Sequence, residues 1–110
     1  MPYIRLSVMK PVPGTDEKVA GILDELLAYF AKQPGYITGY RIVEPIEGGE
    51  VGRITIWDSA EMADQAASAD HVMAIRSQLH LIIEAGHQER GFAVPTMSTP
   101  QEGLRTLVPQ

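Results

Sequence analysis

The sequence predicts one α+β domain of the ferredoxin-like kind, a four-stranded antiparallel sheet with helices packed on one face. Three observations carry this. Hydrophobic periodicity switches between two and about 3.6 residues in the order strand, helix, strand, strand, helices, strand. The segment after Thr15 is a strongly amphipathic helix, and a Gly48-Gly49 pair sits between two strand-like runs, where a tight hairpin is needed. Short connections in that order permit a single antiparallel sheet with all helices on one side.

Each element has its own warrant. From Tyr3 to Met9, Ile4, Leu6 and Val8 alternate with Tyr3, Arg5 and Ser7, the period of a half-buried strand, before Pro11, Pro13 and Gly14 break it. Thr15 is the expected cap of the first helix, whose Val19, Ile22, Leu23, Leu26, Leu27 and Phe30 recur at steps of three and four. Pro34 and Gly35 stop it, because proline cannot donate the next backbone bond and glycine accepts a left-handed turn. Two strands, Tyr36 to Val43 and Val51 to Trp57, follow. Asp58 is the expected cap of an alanine-rich helix, with Glu61 three residues on. Asp70 is the expected cap of a second piece, with a stripe of Val72, Ile75, Leu79, Ile82 and Ile83 that closes at Gly86. A last strand spans about Gln88 to Val94. After Pro95 the periodicity fades, so residues 1–95 are read as the domain and 96–110 as an extended tail available to pack on a partner.

Composition bounds the function. A chain of 110 residues supports one core, and no cysteine is present for a disulfide framework or thiolate chemistry, which suits a reducing cytoplasm. A net charge of -5 without a basic patch argues against nucleic acid as partner. No apolar run approaches the roughly 20 residues of a membrane helix, so no membrane partner is expected. Arg76, His80 and Glu84, spaced by four, and His87 beyond them form no tetrahedral ligand set; they read as a solvated, salt-bridged stripe, with no metal. No glycine-rich phosphate loop is present.

If Ile4, Leu6, Val8, Ile54 and Ile56 meet the helices, the opposite sheet face collects Tyr3, Arg5, Tyr36, Tyr40, Arg53, Thr55 and Trp57. That aromatic and arginine-rich mixture is typical of an interface and points to a homodimer. The bland alternative is a solvent-facing sheet with a few large side chains.

The stretch Pro34-Gly35-Tyr36 with Gly39-Tyr40, then Ile54-Thr55-Ile56-Trp57-Asp58-Ser59-Ala60-Glu61, then Ser68-Ala69-Asp70-His71, resembles the antibiotic biosynthesis monooxygenase family over about Tyr3 to Val94. The resemblance implies a dimeric α+β barrel and an oxygenase that needs no dedicated cofactor. Such an enzyme binds a small phenolic or quinol-like aromatic and lets its electron-rich ring react with oxygen. By that resemblance His71 is the candidate catalytic group, suited to proton transfer near neutral pH. Trp57, Ile4, Leu6 and Ile75 are the candidate ligand-binding residues of a helix-sheet cavity, with Ala63, Ala66, Ala67 and Ala69 leaving room over the sheet. First-turn surface histidine and core tryptophan are the plain structural readings of His71 and Trp57.

Three alternatives stay open. The chain could be a non-catalytic dimeric module that binds an apolar ligand. A haem-degrading branch resembles it at Trp57 and His71, which would be the axial ligand, but carries asparagine where Ile4 stands. Finally, Met1-Pro2 could expose a proline amine, the base used by tautomerases, although the later tryptophan and split helix do not suit them.

Overall fold

The computed structural model describes residues 1–108. Its elements are β1 (Tyr3–Met9), α1 (Asp16–Phe30), β2 (Tyr36–Val43), β3 (Val51–Trp57), α2 (Ala60–Ala67), α3 (Asp70–His80), β4 (Gln88–Ala93), β5 (Thr96–Thr99) and β6 (Gly103–Thr106). The main sheet runs β2-β3-β1-β4 with every neighbour antiparallel. The expected ferredoxin-like α+β architecture is therefore present, with α1, α2 and α3 on one face.

The helix stripe of α1 is as expected: Val19, Ile22, Leu23, Leu26 and Phe30 are buried. Its ends and those of α2 and α3 differ in detail. Thr15 occupies the N-cap position of α1, but its hydroxyl donates to the carbonyls of Val12 at 2.6 Å and Ile82 at 3.1 Å, tying the loop instead of capping the helix. The cap of α2 is Ser59, not Asp58: its Oγ accepts from the Met62 N–H at 3.3 Å. Asp70 lies inside the first turn of α3, where its charge suits the helix dipole, and Ala69 is the extended residue before it. α3 stops at His80. Backbone bonds from Val12 N–H to the Ile82 carbonyl and from Glu84 N–H to the Lys10 carbonyl, 2.9 and 2.8 Å, pull the following segment onto the chain just after β1, so Ile82 and Ile83 reach the core from an irregular segment.

The largest correction concerns the faces of the sheet. Ser7, Met9, Arg53, Thr55 and Trp57 are buried against the helices, and Tyr3, Tyr36 and Val51 pack on the same core. Ile4, Leu6, Val8, Ile54 and Ile56 are only half-buried and lie on the side away from the helices. Because side chains alternate strictly along a strand, choosing the wrong face inverts every residue at once. Tyr36 and Tyr40 were expected together, yet a bulge between Tyr36 and Thr38 separates them. Tyr36 meets Trp57 on the helix side, while Tyr40 pairs with Ile54 on the open side and is 55% exposed. One glycine fixes the β1-β3 contact: a Cβ at Gly52 would lie 1.9 Å from the Ser7 carbonyl oxygen.

The segment expected as an extended tail is instead a hairpin, with Thr96 opposite Thr106 and Thr99 opposite Gly103. Gly103 takes a left-handed φ of 63°, and the Glu102 N–H bonds the Thr99 hydroxyl at 3.0 Å to close the turn. The hairpin buries no apolar face, which is why no hydrophobic period marks it; Leu104 is 76% exposed. Positions 109 and 110 of the expected tail lie outside the described residues.

Candidate functional site

The inward positions of β1 and β3 bring Arg5, Arg53, Thr55 and Trp57 under α2 and α3, where Asp64 and Arg76 project down and Glu89 of β4 closes the side. Trp57 is fully buried; its indole N–H donates to the Thr55 hydroxyl at 2.9 Å, which satisfies the one polar atom that burial would strand. Its ring stands edge-on to Phe30 and Tyr36, with centroids 5.7 and 5.3 Å away.

Beside this wall lies an ionic network. The Arg53 side chain is 4% exposed and its guanidinium carbon sits 5.2 Å from the Phe30 ring centroid. Glu89 serves two arginines, one oxygen each: Arg53 at 3.6 Å and Arg76 at 2.6 Å. Burial pushes the Arg53 pKa down to about 10, opposed by Glu89 and reinforced by Arg76 and Arg5. The guanidinium therefore stays charged at neutral pH. Its Nε is buried without a hydrogen-bond partner among the described residues. Arg5 is held by Asp64 from α2, whose side chain is 67% exposed. Further along the same face, the His87 Nε2 lies 2.8 Å from the buried Ser7 hydroxyl, and burial above all holds its pKa below the usual imidazole value.

Two adjoining spaces are framed by these groups. An inner cleft of about 10 Å³ is lined by Arg5, Arg53, Thr55, Trp57, Arg76 and Glu89 with the helix residues above them. That volume is about one water. An open groove of about 390 Å³ lies outside, lined by Arg5, Asp64, Ala67, Ser68, Met73 and Arg76. Arg5, Ala67 and Arg76 border both. The alanines of α2 do not leave the roomy cavity expected of them: Ala63 and Ala66 are buried 2% and 6% exposed, because small side chains let a helix sit close to the sheet.

The candidate residues are not brought together. Trp57 walls the cleft. Ile75 is buried in the core without lining it, and Ile4 and Leu6 lie across the sheet on the open face. His71 is exposed in the first turn of α3, its ring 4.9 Å from that of Tyr29 on α1, and lines neither space. Pro2 is half-buried, its carbonyl accepting from the Val94 N–H at 2.9 Å. Arg76, read from sequence as part of a solvated stripe, turns instead to Glu89 on β4. Arg5, Arg53, Arg76, Asp64 and Glu89 were missed as site residues, although one signal was present: Arg53 and Thr55 share the parity of Trp57 in β3, so a tryptophan facing a cavity implies an arginine facing it too. A haem does not fit here. Neither space is lined by a histidine that could serve as axial ligand, and the inner cleft has no room for a macrocycle.

This is the α+β fold of a group of solved structures. No family model matches the chain, and no curated protein matches it in sequence. In structure it is similar to the cofactor-independent oxygenase SnoaB of Streptomyces nogalater, with a TM-score of 0.75 at 16% identity over 93% of this chain and 100% of that one. It is similar to Rv0793 of Mycobacterium tuberculosis, with a TM-score of 0.77 at 16% identity over 86% and 95%. A Nitrosomonas europaea protein provisionally named an antibiotic biosynthesis monooxygenase gives 0.77 at 8% identity over 84% and 89%. At such identities the likeness shows the shared fold, the one that the sequence resemblance implied.

Proposed function

We propose that the protein is a cytoplasmic, cofactor-independent oxygenase of the antibiotic biosynthesis monooxygenase kind, acting on a small phenolic or quinol-like aromatic. The observation that carries this reading is the convergence of a buried indole and three guanidinium groups beneath α2 and α3. Arg76 and Arg5, which border the open groove, stabilise a phenolate by charge-assisted hydrogen bonds in a partly dry setting, with the buried indole behind them. The phenolic proton goes to solvent, since no neutral base lines the site. The electron-rich ring then reacts with dioxygen: one oxygen atom becomes a ring carbonyl, the phenol becomes the second carbonyl, and the other oxygen atom leaves as water with the phenolic and ring hydrogens. Dioxygen is the sole oxidant, so the atoms and electrons balance.

The test is oxygen consumption with a panel of quinols, catechols and hydroxylated polycyclic phenols. Uptake should fall about a hundredfold in Arg76→Gln and stay within twofold in His71→Ala. Uptake that survives Arg76→Gln but not His71→Ala would return the proton-transfer role to the histidine. Binding without uptake on any phenol would favour the non-catalytic ligand-binding module.

The functional unit we propose is a homodimer. Ile4, Leu6, Val8, Ile54 and Ile56 make a half-exposed apolar stripe across the open sheet face, flanked by Tyr40 and by Phe92, which is 40% exposed. A patch of that kind is what a partner sheet covers. The hairpin β5-β6, with Met97 and Leu104 exposed, is available to reach across.

A further inference from the structure

Resting on the oxygenase reading, we infer that Arg5 and Arg76 form a gate selecting aromatics that carry a carboxylate beside the ring, aromatic hydroxy acids rather than neutral phenols. Both arginines border the closed cleft and the open groove, so they stand where the charged end of a ligand seated in the groove arrives. Each is latched by a carboxylate: Arg5 by Asp64 on α2, Arg76 by Glu89 on β4. Against those two carboxylates stand three guanidiniums, the third being Arg53 directly behind the gate, so the network has one positive charge in surplus within an acidic chain. Arg53 also keeps a buried Nε, a donor unanswered by any acceptor among the described residues.

The energetics favour an anion at this boundary. A neutral phenol that parts Arg5 from Asp64 and Arg76 from Glu89 gives the guanidiniums only a weak acceptor in return. A carboxylate replaces Asp64 with a planar, two-oxygen partner matched to the guanidinium fork, while Asp64, already mostly exposed, returns to water at little cost. The ring stays in the open groove, since the inner cleft admits only about one water, and the surplus charge of the network is neutralised.

The experiment is calorimetric titration of the full chain with 3-hydroxy-2-naphthoate and with 2-naphthol, at low and at moderate salt. The naphthoate should bind about tenfold or more tightly than the naphthol, the difference shrinking with salt. Asp64→Asn should tighten the naphthoate several-fold and the naphthol by less, and Arg5→Gln should remove the preference. Asp64 is exposed, so its variant tests the latch without threatening the fold, and the melting curve of Arg5→Gln checks that it remains folded. Equal wild-type affinities, or a preference that survives Arg5→Gln, overturns the gate. Equal affinities together with oxygen uptake overturn the gate and leave the oxygenase reading standing. A charge preference without uptake on any phenol leaves the gate and sinks the oxygenase. Binding of neither compound overturns both.

Discussion

Glu89 is the residue whose removal should reveal most about the site's energetics. It neutralises Arg53, which is 4% exposed, and Arg76, which is better solvated. Glu89 itself is partly exposed, but removing the partner of a buried charge costs more than the pair contributes, because the remaining charge is left without an answer. Glu89→Gln should therefore lower unfolding free energy by about 2–3 kcal/mol in urea titrations. Arg53→Met should cost less, since Glu89 keeps Arg76 and methionine fills the space over Phe30. The reverse ranking would mean that Arg53 contributes packing rather than charge. His87 gives a pH signature. Its folded-state pKa lies below the unfolded value chiefly through burial, with His80 and Arg76 of α3 and Arg53 of β3 acting in the same direction and Glu89 of β4 opposing. The unfolded chain then binds the proton more readily, so stability is full above pH of about 6.5 and falls as pH drops toward the folded value. Melting temperatures measured from pH 7.5 to 5 should decline, and His87→Gln should flatten that decline.

At the scale of elements, small offsets separate where helices were expected to begin from where they do. Asp58 and Ser59 are both competent caps by chemistry, and only backbone geometry decides: Asp58 N–H is committed to the Gly35 carbonyl at 2.7 Å, which leaves Ser59 extended and its hydroxyl over the Met62 N–H. Ser59→Ala should cost about 1 kcal/mol and Asp58→Ala a few tenths. Equal losses would show that the first turn of α2 is capped by both. The strands raise a different issue. β1 and β3 alternate cleanly, so their existence and ends were legible as Tyr3–Met9 and Val51–Trp57. Which parity faces the helices was not. Apolar alternation marks two faces as different, yet here both acquire cover: one from α1, α2 and α3, the other, in our proposal, from a second copy. The hydrophobic rule sends the aliphatic face inward, whereas the structure sends Ser7, Arg53, Thr55 and Trp57 there, with the indole hydrogen bond and the Glu89 pairs offsetting the burial of polar groups.

For the whole molecule, the open sheet face makes the sharpest prediction. Ile54 pairs with Leu6 and Tyr40 at the middle of the apolar stripe. Ile54→Asp should give a folded monomer by light scattering at micromolar concentration where the wild type gives a dimer, since a carboxylate desolvated in a sheet-to-sheet contact has no partner there. A wild-type monomer would remove the proposal. Thr55 is unsuited to the same test: it is buried on the helix side, so a charge there would unfold the chain instead of splitting an interface.

The sequence by itself determined the order of elements from β1 to β4, the stripe of α1, the hairpin at Gly48-Gly49 and the ferredoxin-like class, because these rest on local periodicity and on backbone rules at proline and glycine. It also singled out Trp57, a large side chain at a strand end. Tertiary structure alone decided which sheet face meets the helices, since parity carries no label until a second layer is placed upon it. It alone decided that His71 stacks on Tyr29 away from the cleft, and that Arg5, Arg53, Arg76, Asp64 and Glu89 meet. Those five come from β1, β3, α3, α2 and β4, and charges so far apart in sequence are joined only when antiparallel pairing and helix packing bring them within ionic reach.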